Sequence, residues 1–174
     1  MSSVLERPSV QRVHEALRRA SIDATIRQLD SSARSALEAA QSLGVSVGQI
    51  ASSIVFRLPD DLPLLVITSG SHRVDADLVA RALGVGELLR ADADYVKAWS
   101  GFSIGGVSPL GWAGELALGR DAANPMSAVT VLIDDDLANY EIIWAAAGHP
   151  HAVFPTSFPE LSRASGARAM TVAS

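Results

Sequence analysis

The 174-residue sequence contains no cysteine and a single lysine, Lys97. Without cysteine there are no disulfides, no thiolate metal ligands and no cysteine nucleophile. Aromatic residues make up 5% of the chain, which leaves few side chains on which single-stranded nucleic acid could stack. Any contact with RNA is therefore expected to be local.

Long apolar runs are also missing. The longest, such as LPLLVIT at residues 62–68, are too short to cross a bilayer. The N-terminal segment carries charge throughout and has none of the apolar stretch of a secretory signal. We expect a cytoplasmic protein with no membrane partner.

The sequence has no excess of positive charge, and its net charge is −5. This balance argues against a protein that coats nucleic acid through its phosphates, and no DNA partner is expected. The charge is uneven, since residues 1–57 hold seven arginines against five acidic residues. The N-terminal part is the better candidate for contact with an anionic partner, although a solvated helix face explains the same pattern.

Hydrophobic residues form 48% of the chain, which suits one globular domain over residues 1–174. Helical spacing and capping residues predict helices after Ser9, at residues 32–43, 75–83 and 92–100, and after Ser157. Apolar alternation and β-rich runs predict strands at residues 24–29, 50–57, 64–70, 127–133, 140–146 and 151–156. We expect a mixed α/β (α+β) domain with a curved, partly barrel-like mixed sheet surrounded by helices.

The stretch GFSIGGVSPLG, residues 101–111, is rich in glycine and contains a proline, residues that bend or fix the backbone. Gly105 and Gly106 can take positive φ and let another molecule approach the main chain, whereas Pro109 fixes φ and removes a donor. These properties are typical of a binding loop and equally of a turn between strands.

The sequence does not match the motifs of other catalytic classes, because the spacing of the required residues is wrong. The match to G-x-S-x-G around Ser108 has its second glycine one residue late, and Pro109 obstructs the helix that should follow. His149, His151 and the Asp134–Asp136 run offer metal-ligating groups, but no spacing fixes a third zinc ligand. Phosphate-binding glycine motifs are absent. We expect no metal and no other cofactor.

The segments EALRRASIDATIRQL, AAQSLGVSVGQIASSIVFR, LLVITSGSHRVD, FSIGGVSPLG and YEIIWAAAGHPHAVFPTSFPEL follow one another along nearly the whole chain. In this order they resemble the YbaK family, the single-domain relatives of the editing insertion in bacterial prolyl-tRNA synthetases. The most specific piece is the family's G-x-x-x-P loop, here Gly105-Gly106-Val107-Ser108-Pro109. The resemblance implies the fold of that family.

The same resemblance implies a trans-acting deacylase that serves translation fidelity. Such an enzyme hydrolyses the ester between a small wrong amino acid, such as alanine, serine or cysteine, and the acceptor end of tRNA for proline. Mischarged tRNA would be its partner, and an aminoacyl-tRNA synthetase is a second candidate partner. Water, activated by a ribose hydroxyl of the substrate, would be the nucleophile.

Roles for individual residues follow from the match. The amides of Gly105 and Gly106 would face the developing oxyanion, with the rest of the loop, Val107, Ser108 and Pro109, holding the substrate. His149 is favoured over His151 and His72 as a positioning donor or proton carrier. Ile26 and Thr68 would form walls of the pocket.

One position departs from the family's Q-I-x-K-x-L-x-F pattern, because QIASSIVF places Ser52 where the lysine stands. Ser52 and Ser53 can hydrogen-bond the terminal adenosine or the ester. Ser52 can equally be an ordinary strand residue, and the protein would then be a silent binding or regulatory module. A small-molecule acyl hydrolase is a third interpretation.

Overall fold

A computed structural model describes residues 3–30 and 35–173. These residues form one eight-stranded mixed sheet and six α-helices. The strands are β1 (Arg27–Gln28), β2 (Ile50–Arg57), β3 (Pro63–Ser69), β4 (Leu89–Arg90), β5 (Thr130–Asp134), β6 (Ile143–His149), β7 (Ala152–Thr156) and β8 (Arg168–Met170). The helices are α1 (Pro8–Arg19), α2 (Ala36–Leu43), α3 (Ala76–Leu83), α4 (Ala93–Ser100), α5 (Glu115–Arg120) and α6 (Phe158–Ser165). The predicted mixed α/β class is confirmed.

The strands lie in the order β1-β7-β6-β2-β3-β5-β8, and β4 pairs with the end of β2. The β2–β3 hairpin is antiparallel, as the sequence predicts, whereas β6 joins β2 and β5 joins β3 in parallel. Since the order ends at β1 on one side and β8 on the other, the sheet does not close into a barrel.

Most helix ends lie where capping residues predict them. The side chains of Asp75, Asp92 and Ser157 each accept a hydrogen bond from the backbone N–H three residues later. Gly44 and Gly166 end α2 and α6 in the left-handed conformation, with φ of 71° and 70°. These local signals work because a helix terminus leaves backbone groups that a nearby side chain or glycine turn must satisfy.

Two predicted helix starts need correction or restriction. The first helix begins at Pro8 with Arg7 at its N-cap, so Ser9 lies inside it, because proline suits the first helical turn. The second helix begins at Ala36 behind Ser35. The part of that prediction over residues 32–34 lies outside the described residues.

Shorter elements differ from the sequence prediction. The first strand is limited to Arg27–Gln28, and β5 begins at Thr130 rather than at residue 127. Neither β4 nor α5 is predicted. Strand β4 exists through its pairing with the end of β2, and α5 has only six residues, too few for a helical period to stand out.

The core lies on both faces of β3, whose seven residues are all buried. Leu65 and Ile67 join the larger hydrophobic cluster with Val13 and Leu17 of α1. Val66 points to the opposite face and joins a smaller cluster with Val79 of α3. A strand with two covered faces has a continuous apolar run, as residues 63–67 of β3 do.

Candidate active site

A cavity of about 460 Å³ opens where β2 and β6 separate. Strand β6 pairs with β2 only at Ile50 and Ala51, and β4 pairs with β2 only at Phe56 and Arg57. Between these pairs, residues 52–55 have no strand partner among the described residues on that side of β2, and all four line the cavity. The backbone of this segment is therefore open to a ligand.

The walls of this cavity are mostly small and apolar. They come from the first turn of α2, from β2, from β6 and β7, and from Ile104, Gly105 and Val107. Seven of the lining residues are alanine: Ala36, Ala39, Ala51, Ala91, Ala145, Ala146 and Ala152. Among the described lining residues none is acidic, arginine or lysine, and His149 is the one ionisable side chain.

Ser53 supplies an unsatisfied polar group at this cavity. Its Oγ is buried and has no hydrogen-bond partner within residues 3–30 and 35–173. Ser53 pairs with Ile67 across the β2–β3 hairpin, so it shares the face of the larger core. A buried hydroxyl without a partner is costly, and a polar group of a ligand in the cavity would satisfy it.

His149 lies at the end of β6 and lines the same cavity as Ser53. Its Nδ1 accepts a hydrogen bond of 3.1 Å from the backbone N–H of His151. This contact assigns the proton of the neutral ring to Nε2. Burial, followed by the charges of His151 and Arg7, holds the pKa of His149 below its ordinary value. His149 thus meets a ligand at neutral pH as an uncharged N–H donor.

The glycine loop packs directly on this histidine. Gly105 adopts φ of +97° and lines the cavity, so the predicted left-handed conformation occurs at this glycine. Gly106 does not adopt positive φ, and a Cβ there would lie 2.8 Å from the backbone N and Cα of His149. The absence of a side chain at Gly106 is what permits the loop to approach β6.

The structure brings half of the predicted site residues to the cavity. Ser52, Ser53, Gly105, Val107 and His149 line it. Five predicted residues do not: Ile26, Thr68, Gly106, Ser108 and Pro109.

The residues away from the cavity have other contacts. The N–H of Gly106 donates to the Ser103 carbonyl at 3.0 Å, so this amide already has an acceptor within the loop. The Ser108 Oγ accepts a hydrogen bond from the Leu110 N–H at 3.2 Å. Ile26 and Pro109 are buried, and Ile26 belongs to the larger hydrophobic cluster.

Thr68 belongs to a separate polar cluster at the end of β3. Its Oγ1 lies 3.4 Å from Oδ2 of Asp134, a carboxylate that is 1% exposed. His72 also approaches this carboxylate, with 2.8 Å between Nδ1 and Oδ2. These contacts give Thr68 and His72 a structural role in joining β3 to β5.

Sequence reasoning missed several cavity residues. Trp144 is half-buried against α2 and lines the cavity, and Ile104 at the mouth is 60% exposed. An apolar residue in a strand is ordinarily a core residue, so nothing in the local pattern of Trp144 marks it as a wall of a site. Within residues 3–30 and 35–173, no three histidine or acidic side chains come close enough to hold a metal ion.

Comparison with protein families shows to which family the chain that forms this cavity belongs. The sequence profile of the aminoacyl-tRNA editing domain matches residues 30–164, most of the chain and all of the strands that frame the cavity from Ile50 onward. The chain belongs to this family. The resemblance to YbaK-like editing domains is therefore confirmed, and aminoacyl-tRNA editing is the activity of the family.

Solved structures agree with this assignment of an editing domain. A crystal structure described as that of a candidate trans-editing enzyme for prolyl-tRNA synthetase has a TM-score of 0.83 at 32% identity, over 97% of this chain and 98% of that one. A scaffold structure from work on epitope backbone grafting has a TM-score of 0.82 at 33% identity, over 96% of this chain and 98% of that one. YwhH of Bacillus subtilis (strain 168), described as uncharacterized, is 24% identical over 137 residues, 79% of this chain and 78% of that protein.

No helix in the described part of the editing domain has the length and apolar character needed to span a membrane.

Acidification is expected to destabilise this editing domain through His149. Because its pKa is lowered in the folded state, the stability contributed by the neutral ring is fully present above about pH 6.5 and is lost as pH falls through the lowered pKa. The charged groups that act on the ring are His151 and Arg7. In urea unfolding at pH 7.5 and 5.0, the wild type should lose more stability than His149→Asn, whose amide oxygen replaces the Nδ1 acceptor. Equal losses in both proteins would contradict the assignment of His149.

Proposed function

We propose that this editing domain is a trans-acting hydrolase of mischarged tRNA, with a small wrong amino acid on tRNA for proline as its substrate. The observation that carries the proposal is the cavity at the open edge of β2, whose lining includes a neutral histidine and a serine with a hydroxyl that has no partner among the described residues. The aminoacyl ester would lie between them.

The alanine-rich walls favour a small amino acid. Each alanine leaves space that a larger side chain would fill, yet the total volume of about 460 Å³ must also receive the terminal ribose. One methylene changes selection by about 1 to 3 kcal/mol, so walls of this kind distinguish amino acids by volume. The similarity to a structure described as a candidate trans-editing enzyme for prolyl-tRNA synthetase supports tRNA for proline.

Water is the nucleophile that fits the described residues. Its oxygen attacks the ester carbonyl carbon, the bond from that carbon to the ribose oxygen breaks, and the ribose oxygen takes a proton. The free amino acid and tRNA with a free terminal hydroxyl are the products. We assign Ser53 and the Nε2–H of His149, both from residues that line the cavity, as the donors that would bind the carbonyl or amino acid groups, and donors that strengthen their bonds in the transition state accelerate such a step.

Amino acid release from a panel of charged tRNAs tests the function. The panel contains alanine, serine, cysteine and proline on tRNA for proline, and correctly charged alanine and serine tRNAs. Selective release of one wrong amino acid is the expected result. Release from short aminoacyl esters at the same efficiency as from tRNA would instead identify a small-molecule acyl hydrolase.

A silent binding or regulatory module is the second candidate. It is favoured by Ser52, which stands at a family lysine position, in a cavity whose described lining holds no lysine or arginine. If folded protein binds charged tRNA but releases no amino acid from any member of the panel, this second function replaces the first.

Ser53→Ala is expected to separate stability from activity. Removing the unpartnered buried Oγ should leave the free energy of unfolding unchanged or raise it by about 1 kcal/mol, since a buried unsatisfied polar group costs about 1 to 3 kcal/mol. The same change should lower deacylation at least about tenfold, because the substrate loses a hydrogen bond. Urea unfolding and single-turnover deacylation measure the two effects.

Ser162→Ala is the matched control. The Ser162 Oγ is also buried and has no partner in the described part of the chain, but Ser162 belongs to α6 and does not line the cavity. This variant should share the stability effect and keep full activity. Full activity in Ser53→Ala as well would remove Ser53 from substrate binding.

A further inference from the structure

We propose that Arg7 and Arg27 bind phosphates of the tRNA nucleotides that precede the aminoacylated adenosine while the ester lies in the cavity. The inference rests on the proposed function, because it concerns how the same site holds the end of its substrate. The described lining of the cavity contains no arginine or lysine. The two arginines would supply the positive charge that binds the phosphates of the substrate.

Arg27 stands in a row of residues that leads to the cavity wall. In the sheet, Ala146 of β6 pairs with Val153 of β7, and Val153 pairs with Arg27 of β1. Directly opposed residues of antiparallel strands point to the same face. Ala146 and Val153 line the cavity, so the side chain of Arg27 leaves the sheet on the side of these wall residues. Neighbouring strands lie about 4.8 Å apart, which puts Arg27 about 10 Å from Ala146 at the backbone.

Arg7 reaches the same wall from the start of α1. The carbonyl oxygen of Ser9 in the first turn lies 2.6 Å from the position of a Cβ at Gly148, the residue before His149. Arg7 is the N-cap of this helix, and its charge is one of the causes that lower the pKa of His149. Arg7 is therefore close to the histidine end of the cavity.

The two arginines belong to segments that are tied together. The 3-10 helix Val4–Glu6 leads into Arg7, and its capping residue Ser3 donates from Oγ to Oε1 of Gln28 at 3.2 Å. Gln28 is the neighbour of Arg27 in β1. The two cations thus lie on the side of the cavity that β6 and β7 line, with Arg27 on the neighbouring strand β1.

Both guanidinium groups are available to an anion. They are exposed, and within residues 3–30 and 35–173 neither forms an ion pair. Three other arginines are neutralised, since Arg18 and Arg19 contact Glu15 and Arg57 contacts Asp61. Arginine binds phosphate oxygens with two parallel N–H donors. The single-stranded C-C-A end of tRNA carries a phosphate at each nucleotide that precedes the esterified ribose.

The experiment compares substrates with and without phosphates. Arg7→Gln, Arg27→Gln and the double variant are assayed at pH 8, where His149 is neutral whether or not Arg7 is present. Substrates are alanyl-tRNA for proline and the phosphate-free ester alanyl-adenosine. Arg120→Gln is the control, because Arg120 is exposed on α5 and does not line the cavity.

For the double variant we expect KM for the charged tRNA to rise on the order of tenfold or more, with kcat unchanged, because phosphate contacts contribute to binding. KM for alanyl-adenosine should not change. The slope of log KM against log salt concentration should fall by about 0.7 for each phosphate that the variant no longer binds. Arg120→Gln should match the wild type with both substrates.

Binding of an uncharged RNA hairpin ending in C-C-A is measured in parallel and does not require hydrolysis. Weaker binding by the double variant than by Arg120→Gln supports the inference even if the wild type releases no amino acid, a result that would overturn the proposed function alone. Equal hairpin binding by the two variants overturns the inference. An equal rise in KM for both substrates also overturns it, since it would mean that the arginines shape the cavity rather than hold phosphate.

Discussion

Gly106→Ala is expected to lower deacylation by about 100-fold or more while the protein stays folded. The added Cβ would lie 2.8 Å from the backbone N and Cα of His149, closer than such atoms can approach. Because the contact is with backbone, no rotamer change relieves it. The loop or the end of β6 must move, and a displacement of about 1 Å at a positioned group can cost about 100-fold in rate.

The stability cost of Gly106→Ala should be modest by comparison, about 1 to 3 kcal/mol, as for other overpacked sites. Single-turnover deacylation and urea unfolding of the same preparation separate the two effects. Gly119→Ala is the control, since a Cβ there has no atom within 4 Å and φ is not positive. Undiminished activity in Gly106→Ala would show that the approach of the loop to His149 is not needed for the reaction.

Asp134→Ala is expected to have the largest effect on stability, a loss of about 3 to 4 kcal/mol. The Asp134 carboxylate accepts hydrogen bonds from the backbone N–H groups of Ser69 and Asp136, each at 3.0 Å. It also meets Nδ1 of His72 at 2.8 Å. Alanine would leave the Ser69 N–H buried without an acceptor at the point where β3 and β5 end side by side.

Urea unfolding measures this loss, and Asp135→Ala provides the comparison. Asp135 is exposed and accepts from Thr171 Oγ1, so its removal should change stability by less than about 1 kcal/mol. Activity per folded molecule should be retained in Asp134→Ala, because Asp134 does not line the cavity. A loss of stability below about 1 kcal/mol would contradict the structural role of this cluster, and a selective loss of activity would return Thr68 and its neighbours to the site.

Family membership came from motifs that are contiguous in the chain. The G-x-x-x-P loop, the QIASSIVF strand and the AAAGH segment each lie within a few residues, so sequence alone carries them. Their individual roles were less accessible. Gly105 and Gly106 are adjacent in sequence, yet one lines the cavity and the other packs on His149 with its N–H bonded to Ser103.

The contacts of Thr68 also could not be predicted from the sequence. It is directly opposite Ser52 in the β2–β3 ladder, so a site at Ser52 suggests that Thr68 is near it. In the folded chain Asp134, 66 residues later, approaches the Thr68 hydroxyl because β5 pairs in parallel with β3. The long-range parallel pairing leaves no trace in the local pattern of either strand.

The sequence by itself determined the class of fold, the β2–β3 hairpin, most helix ends and the family. These depend on contacts between near neighbours, such as the capping bonds of Asp75 and Asp92 and the left-handed turn at Gly44. Only the tertiary structure decided where the cavity lies, because the gap along β2 exists between two partners, β4 and β6, from distant parts of the chain. It also decided that Arg27 pairs with Val153 and that the charge of Arg7 acts on His149. Which charges come close to a site depends on the order of the strands and not on separation along the sequence.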